Sequence, residues 1–163
     1  MKMRSLFLSL CLCLFALPAL AQMDWNVVGS GGEIDEDCLN LYEYSGARLK
    51  FKPTATGTIT VRYPVIVYGN ANGLQPIWDT MTLTSVDNSP LGSIQARLVS
   101  VSECDGTETT ICTVTGSGSP GCEVCNFSSS TFDFTTRAYY IEGTLTRSST
   151  AADVQLIMVA LGY

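Results

Sequence analysis

The chain predicts an all-β protein: a two-layer antiparallel β-sandwich of seven or eight strands with jelly-roll or immunoglobulin-like topology. Three observations predict it. β-Branched and aromatic residues recur at period two along most of the sequence. Clusters of Gly, Asn, Asp, Ser and Pro interrupt these runs about every ten residues. No run of good helix formers at helical spacing competes after the N-terminal stretch. A closed barrel is the alternative way to arrange such strands.

Residues 1–21 stand apart. Lys2 and Arg4 precede a leucine-rich run from Leu6 to Leu17, Pro18 breaks it, and Ala19-Leu20-Ala21 has the small-x-small form a signal peptidase accepts. This predicts a signal peptide cleaved after Ala21 and a secreted or periplasmic product. No later apolar stretch is long enough for a spanning helix, the longest being Leu156 to Leu161. Residues 22–46 read as an N-terminal arm and acidic turn, with Asp24 to Gly32 mobile and Ile34, Leu39 and Leu41 able to pack onto the body. Residues 47–163 read as the sandwich.

Within the sandwich, Ala47 to Lys52 alternates Leu49 and Phe51 against Arg48, Lys50 and Lys52. Thr58 to Tyr68 alternates Ile59, Val61, Tyr63, Val65 and Val67 against Thr58, Thr60 and Arg62. Pro64 lacks an N–H, which places that strand at an edge or a bulge. After an Asn70 to Pro76 turn, Ile77 to Val86 sets Met81 and Leu83 against Thr80, Thr82 and Thr84. Ser93 to Glu103 alternates Ile94, Ala96 and Leu98, then turns apolar on both sides at Val99, the mark of a bulge. A short strand follows over Thr109 to Thr115, then a Gly/Ser/Cys loop from Gly116 to Ser130. Ala138 to Arg147 puts Tyr139, Ile141 and Leu145 on one face. Val154 to Tyr163 is apolar on both faces, which predicts a strand buried between layers.

Composition excludes whole function classes. The 163 residues hold 15 acidic and 9 basic side chains, a net charge of −6, and no histidine. Loss of Lys2 and Arg4 makes the product more acidic still. Such a chain cannot hold a nucleic-acid backbone by counterion release. Without histidine, Ser-His-Asp triads, Cys-His dyads and His-ligated metals are impossible.

Five of the seven cysteines lie beyond the leader. Cys104, Cys112, Cys122 and Cys125 read as two disulfides in an oxidising compartment. The sequential pairing, Cys104–Cys112 with Cys122–Cys125, is favoured over the nested Cys104–Cys125 with Cys112–Cys122. The CxxC spacing at Cys122 lacks the helix that redox dithiols need. Cys38 is the odd one out, and its neighbours Leu39 and Leu41 predict a buried thiol over an intermolecular bridge.

Glu33, Asp35, Glu36 and Asp37 are the only calcium candidates, and a solvated acidic turn is the plainer reading. Arg48, Lys50 and Lys52 could pair with it. No cofactor is otherwise implied. Among the aromatics Tyr42, Tyr44, Tyr68, Trp78, Tyr139 and Tyr140, the pair Tyr68 and Trp78 brackets a loop and is the first candidate for a ligand platform. Tyr139 and Tyr140 are adjacent, so they must point to opposite faces of a strand. Asn126-Phe127-Ser128 fits a glycosylation acceptor.

The C-terminal run Val154 to Tyr163 resembles the terminal strands of pilus subunits and outer-membrane barrels. That resemblance implies an assembly subunit. Taken together, the residues favour an exported, non-catalytic module that binds a glycan or an extracellular protein, or builds an extracellular structure. A carboxylate-based glycoside hydrolase and a pilus-like assembly subunit are the alternatives.

Overall fold

The computed structural model describes residues 24–67 and 75–163. The leader, Tyr68 and most of the Asn70 to Pro76 turn lie outside the described residues. The strands are β1 (Trp25–Val28), β2 (Glu33–Ile34), β3 (Tyr42–Ser45), β4 (Arg48–Phe51), β5 (Gly57–Pro64) and β6 (Thr80–Asp87). They continue with β7 (Gly92–Ser102), β8 (Glu108–Thr115), β9 (Gly118–Asn126), β10 (Arg137–Arg147) and β11 (Val154–Gly162). Helical structure among the described residues is limited to single 3₁₀ turns at Gly29–Gly31, Glu36–Cys38 and Ser129–Thr131.

Two antiparallel sheets face each other. The first runs β3-β4-β11-β6-β9, with β1 also on β11; the second runs β2-β5-β10-β7-β8. The pairings β7·β8, β6·β9, β5·β10 and β4·β11 nest one inside the next, so β4 to β11 form one long antiparallel ribbon closed by the β7–β8 hairpin. Rolling that ribbon creates the further contacts β7·β10 and β6·β11. This is the jelly roll, and it decides between the two topologies the sequence allows.

Alternation produces the core. Leu49, Ile59, Val61, Leu83, Ile94, Leu98, Ile141, Leu145, Leu156 and Leu161 are fully buried between the sheets. Each such side chain contributes about 1.5–3 kcal/mol by leaving water. Pro64 sits where its missing N–H costs nothing. Val65 N–H donates to Tyr139 O, so the nitrogen of Pro64 faces the opposite side, beyond the two residues of β2. The bulge at Val99 is present as a register shift against β8: Leu98 faces Cys112 and Val99 faces Thr110, leaving Ile111 as the extra residue.

Four sequence expectations need correction. Residues 24–46 are no loose arm, because β1, β2 and β3 add strands to both sheets. The Gly116 to Ser130 segment is largely strand: β9 pairs with β6 from Asn126 to Gly118. As an edge strand it tolerates Pro120 and its glycines, and pairing overrides weak propensity. β11 is the middle of a sheet rather than a strand between layers. Its two-faced apolar pattern comes from a register shift between Leu156 and Met158, which moves the core phase from Val154 and Leu156 to Val159 and Leu161.

The fourth correction concerns sulfur. Neither the sequential nor the nested pairing is present. One disulfide joins Cys112 to Cys125, with Cα atoms 6.3 Å apart, while Cys104 and Cys122 are exposed free thiols. The register explains the choice. Cys112 lies opposite buried Leu98, and Cys125 opposite buried Met81, so both point into the sandwich, each from an edge strand of its own sheet. Cys122, opposite Thr84, is on the outer face. The bridge thus staples one sheet to the other, and its loop length makes it worth about 3 kcal/mol in the chain-entropy account. Cys38 is buried and lies 3.4 Å from Thr58 O.

Candidate functional site: the outer face of the second sheet

Because Ile59, Val61 and Tyr63, Ile94, Ala96 and Leu98, and Ile141 and Leu145 point inward, the alternate residues of β5, β7 and β10 share the outer face. Strand register then brings together residues far apart in sequence. One cross-strand row reads Glu33, Arg62, Glu142, Arg97, Thr113. The row on one side reads Thr60, Thr144, Gln95, Thr115, and the row on the other contains Pro64, Tyr140, Val99 and Thr110.

Glu142 is the hub. Its side chain is 10 % exposed although it lies on a sheet face, because two guanidinium groups cover it. Arg62 Nε donates to Glu142 Oε2 at 3.1 Å. Arg97 Nε donates to Glu142 Oε1 at 2.9 Å, and Arg97 Nη2 reaches the same oxygen at 2.9 Å. Arg62 also approaches Asp35, with Nη1 3.4 Å from Oδ2. The arginine side chains remain 47 % and 39 % exposed, so their outer edges face solvent. Charge-assisted bonds of this kind fix guanidinium orientation even where solvent limits their net stabilisation.

Tyr140 stands next to this row. Its hydroxyl donates to Glu108 Oε1 at 3.0 Å, which anchors the ring over the sheet. Burial, the bond to Glu108 and the charges of Glu108 and Glu142 raise its pKa, while Arg97 opposes them. Burial also pulls on Arg62, but Asp35 and Glu142 outweigh it and raise its pKa. The result is one aromatic ring flanked by two oriented guanidiniums and a field of hydroxyl and amide groups. Chemically this surface can stack on an apolar ring face and hydrogen-bond the polar edge of the same ligand.

The sequence candidates fall elsewhere. Trp78 is no platform: it is 3 % exposed and meets Phe132 edge-on at 5.3 Å. Phe132 also stacks on Phe134 and touches Phe127 and Tyr139, so these rings make an aromatic plug at one end of the core. Tyr139 is the buried member of its pair and Tyr140 the outward one, a distinction visible in the sequence because Tyr139 is in phase with Ile141 and Leu145. Arg62, Arg97 and Glu142 each carry charge on the polar phase of a strand; only topology reveals that they meet.

The acidic run is dispersed. Asp35 turns to Arg62, Glu33 lies on β2, and Glu36 and Asp37 are exposed in a 3₁₀ turn. Among the described residues no group of three His, Cys, Asp or Glu side chains is placed to hold a metal ion. The basic residues of β4 do not pair with it either: Lys50 binds Glu43 at 2.9 Å and Arg48 donates to Gln155 at 3.1 Å. An open recess of about 160 Å³ lies beside Glu43, Lys50, Phe51 and Arg147. Arg147 is spent there on backbone carbonyls and Lys50 on Glu43, so the recess offers little to a ligand.

No family model matches the chain, and no curated protein matches it. Among solved structures, a family two carbohydrate esterase from Cellvibrio japonicus is similar at a TM-score of 0.45 and 10 % identity, over 86 % of this chain and 34 % of that one. The chain therefore spans about a third of the esterase. TmCBM61 in complex with β-1,4-galactotriose is similar at a TM-score of 0.39 and 10 % identity, over 86 % of this chain and 88 % of that one. Among the described residues no helix is long and apolar enough to cross a membrane.

Proposed function

We propose that this chain is an exported, non-catalytic β-sandwich module that binds a glycan on the outer face of its second sheet. The leader-like residues 1–21 support export. The observation that carries the binding reading is the Arg62–Glu142–Arg97 row beside Tyr140. Sugars present an apolar ring face and a rim of hydroxyls, and this surface offers the complement to both. The framework is rigid strand rather than loop, so the binding groups are positioned before the ligand arrives.

Retention of the purified, oxidised protein on a panel of polysaccharides tests the reading. At least one polysaccharide is expected to retain it, and Tyr140→Ala and Arg97→Ala are each expected to weaken retention tenfold or more. Arg48→Ala, on the other sheet, is expected to leave it unchanged. Retention that ignores both substitutions, or none on any polysaccharide, defeats the proposal.

A further inference from the structure

The charge balance of the face narrows the ligand class. Resting on the glycan reading above, we infer that the ligand is an uncharged polyhydroxyl glycan, not one bearing uronate or sulfate groups. The two arginines look at first like an anion site, but their charge is already answered on the sheet. Glu142 lies between them and contacts both; Asp35 sits 3.4 Å from Arg62. Glu33 occupies the same cross-strand row, and Glu108 holds the Tyr140 hydroxyl. Two positive groups thus stand among four carboxylates, on a chain whose net charge is −6. An arriving carboxylate or sulfate can reach the solvent-facing guanidinium edges only against net repulsion from the four carboxylates around them.

A hydroxyl meets no such barrier. It accepts from the solvent-facing edges of Arg62 and Arg97 and donates to a carboxylate oxygen, and it carries no charge for the carboxylates to repel. The next row adds hydroxyl and amide partners at Thr60, Thr144 and Gln95. Arg62 and Arg97 are two strands apart, roughly 9–10 Å between backbones. That is a span of about two sugar residues laid across the strands.

Affinity electrophoresis of the oxidised protein separates the outcomes. The gels contain hydroxyethylcellulose, galactomannan or arabinoxylan as neutral probes, and polygalacturonate or alginate as acidic ones. At least one neutral gel is expected to retard the protein, with the apparent dissociation constant changing less than twofold between 20 and 500 mM NaCl (roughly 20 and 4 Å of screening length). The acidic gels are expected to leave its mobility unchanged. Asp35→Asn, an exposed substitution that removes one counter-charge, is expected to introduce retardation by alginate that disappears at high salt. Retardation of the unsubstituted protein by polygalacturonate or alginate, lost with salt, overturns the inference while sparing the glycan reading. Failure of Asp35→Asn to gain alginate retardation also counts against the charge-balance account. No retardation in any gel overturns the glycan reading itself.

Discussion

Gly29→Ala is expected to lower the urea midpoint of unfolding by about 1–2 M, from a loss of about 3 kcal/mol or more. The reason lies in how β11 shares one flank. β1 pairs with Met158 to Leu161 and β4 with Gln155 and Leu156, so two strands lie end to end along the same side. Between them the chain must leave β1 and clear β11. Gly29 makes that crossing buried: a Cβ there would lie 2.1 Å from Leu156 O and 3.0 Å from Leu49 N. Both obstacles are backbone, so no side chain can swing aside. Gly29 O also accepts the hydroxyl of core Tyr63 at 2.8 Å, and Ser30 N–H donates to Ala47 O at 3.0 Å, which pins the crossing from both sides. Burial pushes the Tyr63 phenol well above its ordinary pKa, so it remains a donor at any physiological pH. An unchanged midpoint in Gly29→Ala would mean that the β1–β4 junction is not as tight as described.

Arg147→Met is expected to destabilise by about 3–5 kcal/mol and lower Tm by on the order of 10 °C. Arg147 is a charged residue only 7 % exposed, at the end of the core. Among the described residues its guanidinium has no carboxylate partner; it bonds the carbonyls of Lys52, Ala55, Ser149 and Thr150 and lies over the Phe51 ring, with Cζ 5.8 Å from the centroid. One side chain therefore ties the turn after β4 to the turn between β10 and β11. Methionine fills the volume but leaves those carbonyls without their donor. Lysine keeps the charge but cannot span four acceptors in a fork, so Arg147→Lys is expected to recover less than half the loss. Thermal unfolding by circular dichroism measures both. Full stability in Arg147→Lys would show that charge alone suffices there.

The strands that bury one face were legible because burial writes a period of two into them. β4, β7 and β10 follow Leu49, Ile94 to Leu98, and Tyr139 to Leu145 almost residue for residue, while β5 follows Ile59 to Tyr63 but ends at Pro64, before the Val65 and Val67 that alternation also assigned to it. The adjacent apolar Leu98 and Val99 marked the place of the bulge but not its strand: β7 keeps its phase against β10, and the extra residue is Ile111 of β8. β9 was not legible, because an edge strand of Gly, Ser, Pro and Cys is held by its partner and by the inter-sheet disulfide rather than by its own propensity. The disulfide itself depends on which cysteines point inward from two different sheets, information that spacing does not contain. Trp78 shows the opposite error: a loop-flanking position suggested exposure, but a ring of that size lowers the free energy more by filling the end of the core. Arg62, Glu142 and Arg97 were each readable as outward residues, yet their meeting is a product of the jelly-roll pairing β5·β10·β7.

If ligand meets the outer face of β5, β10 and β7, backbone amides there respond to it. Titrating the labelled protein with the oligosaccharide of whichever polysaccharide retains it, and following amide shifts by NMR, reads this out. The perturbed amides are expected to cluster at Arg62, Arg97, Tyr140, Glu142 and Thr144, with β6, β9 and β11 silent. Shifts concentrated on the first sheet, or at the loops beside Phe127 and Phe134, would contradict it.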